Sequence, residues 1–226
     1  GKDTSFLNLF TTMIVDADGR PKAQSPSLIG ADEKDTETAI QYALHQEASR
    51  GFHLYTASMI VPAIQQLHQD HYIQLREWEF LVRNNAFVPQ DRWLIYMKGL
   101  HAGFKGDYIT ASHILIPQIE NSLRYLLEQQ GIQAYSIDTV TGIQQAHTLE
   151  AIFETPELME IMDNDIIFTL KSLLIRKFGN NYRNEMAHGL MSDGQFYQPT
   201  IIYLWWFVLH LLGRGSSLLR EDSDEE

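Results

Sequence analysis

The spacing of apolar and polar residues changes character early in the chain. Residues 6–15, FLNLFTTMIV, precede the turn DADG and then RPKAQSPSL at 20–28, which together predict a short β-hairpin followed by a loop. Asp-Gly between two such runs is a strong hairpin signal. From Asp35 the period becomes helical. TETAIQYALHQEASRG opens on a threonine cap and is expected to stop at Gly51. Residues 54–84 read as one or two helices, with Pro62 as a kink or boundary. FVPQDR at 87–92 breaks the pattern, because the residue before proline is pushed out of helical geometry.

Two helices follow, over about 91–104 and 108–130, joined by the turn GFKGD. In the second, Ile109, Leu115, Ile119, Leu123, Leu126 and Leu127 recur near helical spacing, and Gly131 ends it. Residues 132–147 suggest a short strand pair around Thr141 and Gly142, and short helices run on to Met162. A further helix starts at Asp163 or Asn164, acidic at its positive end as the helix dipole favours. It is expected to reach Phe178 and stop at Gly179. A short helix ending at Gly189, the loop MSDGQFYQ and a last long helix over about 199–219 complete the chain. The expectation is a mainly α fold: an extension over 1–87, a helical bundle over 88–219 and an acidic, frayed tail over 220–226.

With 226 residues, 44% of them hydrophobic, the chain can bury a substantial core without staples. It has no cysteine, which excludes disulfide frameworks, thiolate metal sites and thiol catalysis. Residues 1–15 lack the basic start and long apolar run of a secretory signal, so the expected compartment is the cytoplasm. The chain opens GKD rather than with Met, which suggests a fragment of a longer protein carrying an upstream domain or serving a regulatory partner. The most apolar stretch, IIYLWWFVLHLL at 201–212, is shorter than the about 20 residues a membrane span needs. It reads as a buried helix, with Trp205, Trp206 and Phe207 in the core rather than a base-stacking platform.

A net charge of −12 argues against general binding to a phosphate backbone. The charge is uneven, however. EDSDEE at the end holds five acids, whereas Lys171, Arg176, Lys177 and Arg183 fall within thirteen residues that contain none. A solvated helix face explains such a run as well as a nucleic-acid contact does. It leads into FGNNYRNEMAHGL at 178–190, where Arg183, Asn184 and His188 lie between two apolar helices.

Asn184 and His188 are four residues apart and share a helix face. Arg183 and His188 are five apart, roughly 140° around the helix, so Arg183 joins them only through its length or from a frayed first turn. A guanidinium and an imidazole, which ordinarily titrates near neutrality, are equipment for phosphate chemistry. The same residues also suit a capped helix end: Arg183 in an ion pair, Asn184 as a cap, His188 on the negative helix terminus. Glu120 and Arg124, four apart, form either an exposed ion pair or a support in which Glu120 orients Arg183 or His188 and Arg124 adds positive charge. His113 can share their face. His68 and His71 have helical spacing for a metal clamp, but no third ligand is suggested and a surface pair is expected. No phosphate-binding glycine loop, dinucleotide fingerprint or serine nucleophile elbow is present.

The R-N-x-x-x-H element before a final apolar helix resembles the HEPN superfamily, whose motif is Arg, a following polar residue and a His four to six residues after the Arg. Arg183, Asn184 and His188 match it, and FGNNYRNEMAHGL together with HILIPQIENSLRYLLEQQG at 113–131 looks like a HEPN-related bacterial family of unassigned function. The resemblance covers about 88–219. It implies a helical bundle acting as a homodimer, with a metal- and cofactor-independent endoribonuclease site made of Arg183, Asn184 and His188. It also implies RNA as the partner and a biological role such as a toxin or antiviral-defence effector; the basic run of Lys171, Arg176 and Lys177 is the surface expected to contact that RNA. Because many members of the superfamily are inactive, a non-catalytic dimerisation or nucleotide-binding module is the second expectation, and a purely structural helical domain the third.

Overall fold

The computed structural model describes residues 12–15, 21–25, 33–137 and 144–221. The chain is mainly α, as the periodicity predicts. Strands β1 (Thr12–Val15) and β2 (Pro21–Ser25) pair antiparallel with Thr12 opposite Ser25, and the register shifts between Ile14 and Val15. The rest of the expected hairpin, residues 6–11 and its DADG turn, lies outside the described residues.

Helix α1 (Glu33–Tyr55) runs through Gly51, against the expected stop. Nothing there requires a glycine-only backbone, and a side chain at Gly51 would meet open space. Its neighbours carry the helix onward, since Phe52 is buried and stacks on Tyr203 with ring centroids 4.2 Å apart. A π-helical turn, Thr56–Ile60, joins α1 to α2 (Val61–Asp70), with Pro62 at its first turn. Proline lacks the N–H that would continue the ladder and crowds the preceding turn, so a wider turn before it is the accommodation. A 3₁₀ turn (Leu75–Trp78) leads into the short α3 (Glu79–Val82), after which the chain breaks as FVPQDR predicts.

The centre is the hairpin of α4 (Trp93–Phe104) and α5 (Tyr108–Gln129). Gly106 turns the chain at φ 82°, and the Asp107 carboxylate caps α5 by accepting the Thr110 N–H at 3.0 Å. That bond holds the Asp107 carboxyl below its usual range. Along α5, Ala111, Leu115, Ile119 and Leu123 are buried at helical spacing. Gln130 caps α5, and Gly131, at φ 74°, follows it. Strands β3 (Tyr135–Ile137) and β4 (Gln144–Ala146) form the expected pair, its turn lying outside the described residues.

Helices α6 (Leu149–Phe153) and α7 (Leu158–Ile161) lead to α8 (Asn164–Leu174). Helix α8 ends at Leu174, four residues before the expected Phe178. The motif forms its own helix, α9 (Tyr182–Ala187), and the loop before the last helix contains a single turn, α10 (Asp193–Phe196). Helix α11 (Pro199–Glu221) then returns through the core. It takes in the first two residues of the expected tail, and 222–226 lie outside the described residues.

Trp205 and Phe207 are buried, and Trp206 packs partly buried against the core. The Trp205 indole N–H donates to the Leu100 carbonyl at 3.0 Å. Gly103 permits this approach, because a Cβ there would fall 2.2 Å from the Trp205 ring. Among the described residues no helix is long and apolar enough to cross a membrane. The first helices pack into the same core as the later ones, and His45, Gln46 and Thr56 reach Ser172, the Phe178 carbonyl and the Pro199 carbonyl.

Candidate functional site around Arg183

The motif helix is placed by the chain on both sides of it. After α8, the Asn180 N–H donates to the Ser172 carbonyl at 2.9 Å, folding 175–180 back against the helix it has just left. Gly179 lies so close to that carbonyl that a Cβ would sit 2.1 Å from the oxygen. Asn181 then adopts left-handed geometry, φ 55° and ψ 29°, a region that asparagine tolerates better than most residues. At the far end Gly189 takes φ 66° and closes the turn, with the Leu190 N–H on the Glu185 carbonyl at 2.8 Å.

Tyr182 anchors α9 to α11. It is buried, its hydroxyl is hydrogen-bonded to the Thr200 hydroxyl, and burial pushes its pKa up to about 12. The Asn180 amide donates to the Tyr182 oxygen at 3.3 Å. Periodicity gives no sign of this anchor. The Asn-Asn pair after a glycine is the only local signal that could have marked it.

Arg183 is held from the opposite side. Its Nε donates to Glu120 Oε2 at 3.0 Å, its Nη2 to Oε1 at 3.5 Å, and its Nη1 to Asn184 Oδ1 at 3.4 Å. Glu120, only 8% exposed, also pairs with Arg124 one turn along α5. Arg124 in turn donates from Nε and Nη2 to the His147 carbonyl at 3.1 and 3.0 Å. One carboxylate thus lies between two guanidiniums, and the group keeps a net positive charge. The Glu120–Arg124 pair is therefore a mostly buried contact rather than an exposed one, and Glu120 orients Arg183.

Asn184 donates its amide to Asn181 Oδ1 at 2.9 Å, so its oxygen faces Arg183 and its nitrogen faces the helix entry. It does not bond the His188 ring. His188 caps α9, its N–H on the Asn184 carbonyl at 3.1 Å, and its imidazole is exposed with no hydrogen bond or ring contact among the described residues. The structure therefore brings Glu120, Arg124, Arg183 and Asn184 into one network and leaves His188 free one turn further on.

The basic run divides. Arg176 and Lys177 are exposed. Lys171 instead lies with its Nζ 5.7 Å from the Phe153 ring, and burial, aided by Arg176, lowers its pKa. His113 does not join Glu120: its Nδ1 donates to the Ile109 carbonyl at 2.8 Å and its ring stacks on Phe196. His68 bonds the Phe104 carbonyl at 2.8 Å, and among the described residues no cluster of three or more His, Asp or Glu could hold a metal. Comparison of the chain with family models, with curated proteins and with solved structures gave no match to any of the three.

Proposed function

We propose that this chain is a metal-independent endoribonuclease of the HEPN type, with Arg183 and His188 as its catalytic pair. The observation that carries the reading is the Arg183 guanidinium oriented by Glu120, with the exposed, uncommitted imidazole of His188 at the end of the same short helix. In the proposed reaction the ribose 2′-oxygen attacks the adjacent phosphorus, the P–O5′ bond breaks, and a cyclic phosphate and a free 5′-hydroxyl result. A neutral His188 accepts the 2′-OH proton, and an acid returns a proton to the leaving 5′-oxygen. Arg183, with three of its donor directions occupied by Glu120 and Asn184, turns its remaining N–H groups to the charge growing on the non-bridging oxygens. Arg176 and Lys177 contact the backbone on either side.

A second reading is a non-catalytic dimerisation or nucleotide-binding module. The observation favouring it is the same ion pair, which offsets much of the Arg183 charge. Purified chain incubated with end-labelled RNA in EDTA separates the two. The enzyme reading expects cleavage that leaves cyclic phosphate ends, is lost in His188→Ala and Arg183→Ala, and spares an all-deoxy strand. RNA retained intact by a folded wild-type chain, or equal cleavage by a folded His188→Ala, removes it.

A further inference from the structure

Helix α1 sends three side chains from one face to the segment that enters the motif. Tyr42, His45 and Gln46 stand at i, i+3 and i+4, so they share that face. The Tyr42 ring meets the Phe178 ring edge-on, with centroids 5.6 Å apart. His45 is buried, stacks on Phe168 of α8 at 4.9 Å and hydrogen-bonds the Ser172 hydroxyl. Gln46 donates its amide to the Phe178 carbonyl at 2.8 Å.

These contacts fall on the two ends of one fold-back. The Ser172 carbonyl accepts the Asn180 N–H, and Phe178 immediately precedes Gly179, which packs against that same carbonyl. A donor on the Phe178 carbonyl sets the plane of the peptide joining it to Gly179, since the peptide unit is rigid. Gly179 has no room to move closer to the Ser172 oxygen. The left-handed turn at Asn181 follows at once, and Arg183 is two residues further on. Apolar packing alone would locate this segment; the Gln46 bond also gives it a direction.

We propose that α1 clamps the motif, with Gln46 and Tyr42 as positioning residues for Arg183 and His188 that act through residues 178–181. The inference rests on the nuclease reading for its effect on cleavage, and on the contacts alone for its effect on the motif helix. A guanidinium and an imidazole serving one phosphate must be placed together, and a misplacement of about 1 Å costs up to about 100-fold in rate. Neither Gln46 nor Tyr42 touches RNA in this scheme. Arg176 and Lys177 have long, exposed side chains that follow a small backbone shift, so loss of the clamp lowers kcat and leaves KM nearly unchanged.

The test uses the whole chain and two readouts, amide hydrogen exchange and cleavage of end-labelled RNA in EDTA. Gln46→Glu keeps the shape but replaces the donor with a carboxylate, and Tyr42→Leu removes the ring. Each should speed exchange across 180–190 by about tenfold while α4 exchanges as in wild type, because the opening is local. Each should lower kcat about tenfold with KM within about twofold. Tyr42→Phe, which keeps the ring, should restore both readouts. Val82→Ala, a core truncation in α3, lowers the unfolding midpoint and should leave kcat as in wild type. Unchanged exchange at 180–190 in both clamp variants overturns the proposal. So does faster exchange with kcat intact, or an effect on KM alone. A wild type that leaves RNA intact sinks the nuclease reading instead, and exchange then decides by itself whether α1 holds the motif helix.

Discussion

Glu120 and Arg183 are 63 residues apart in the chain, yet Oε2 of one and Nε of the other lie 3.0 Å apart. This contact joins α5 to the motif helix and fixes the direction of the guanidinium. Because Arg124 uses the same carboxylate, removing it leaves two cations facing each other.

Glu120→Ala should therefore destabilise the chain by about 3 kcal/mol, the scale for stripping the partner from a mostly buried charge. Arg183 is about a third exposed and Arg124 retains the His147 carbonyl, which keeps the loss from growing larger. Glu120→Gln, which keeps the shape and an acceptor oxygen, should cost about half as much. Urea unfolding midpoints measure both. A change within about 0.5 kcal/mol in Glu120→Ala, the usual range at a surface site, would show that the pair is not structural.

Much of this frame is legible in the sequence, and the misses have particular causes. The α4–α5 hairpin is readable because its stop signals, Gly106 and Asp107, are local. The early end of α8 is not. Apolar periodicity continues through Ile175 and Phe178, but the chain turns back because Asn180 and Gly179 close on Ser172, a tertiary constraint with no pattern of its own. Gly51 misleads in the opposite way. Glycine costs a helix about 1 kcal/mol, and the packing of His45 and Phe52 outweighs it. At the site, spacing identifies Arg183, Asn184 and His188 as neighbours on one short helix. It cannot choose between an exposed and a buried Glu120, because that depends on which face of α5 meets α9.

The two glycines make opposite expectations. Gly51→Ala, mid-helix and facing open space, should stabilise by about 0.5–1 kcal/mol. Gly179→Ala must displace backbone, since the Ser172 carbonyl does not yield as a side-chain tip would, and should cost about 1–3 kcal/mol. Thermal unfolding of the pair decides it. A neutral Gly179→Ala would mean that the loop entering the motif is not held as described.

Stability should also depend on pH through His45. Its Nδ1 lies 2.7 Å from Ser172 Oγ, and that hydroxyl donates to the Phe168 carbonyl, so Nδ1 carries a hydrogen and donates to the serine oxygen. Burial, with Arg176 nearby, lowers its pKa to about 4. In the unfolded chain a histidine protonates near 6.5. Between those values the unfolded state binds more protons, so stability is complete above about pH 6.5 and falls as pH drops toward 4. The loss should reach up to roughly 3 kcal/mol. Urea unfolding at pH 7 and 4.5 should show this slope in wild type and a clearly smaller one in His45→Phe. Equal slopes would assign the acid sensitivity to other groups.

The last prediction concerns assembly and follows from the proposed reaction. Cleavage needs a base for the 2′-OH and an acid for the 5′-oxygen, yet each motif offers one exposed imidazole. Two motifs related by a two-fold axis would supply both, since such a contact places the same patch on each subunit. Arg183 would then face its own copy, and Glu120, already bonded to it, would reduce the repulsion until a phosphate enters between them. Wild-type chains co-expressed with a rising excess of His188→Ala chains measure this directly. If both imidazoles are required, only dimers of two wild-type chains cut, and activity per wild-type chain falls in proportion to the wild-type fraction. With one wild-type chain in ten it should drop to about a tenth. If activity per wild-type chain stays constant across the series, each subunit works alone and the shared site is wrong.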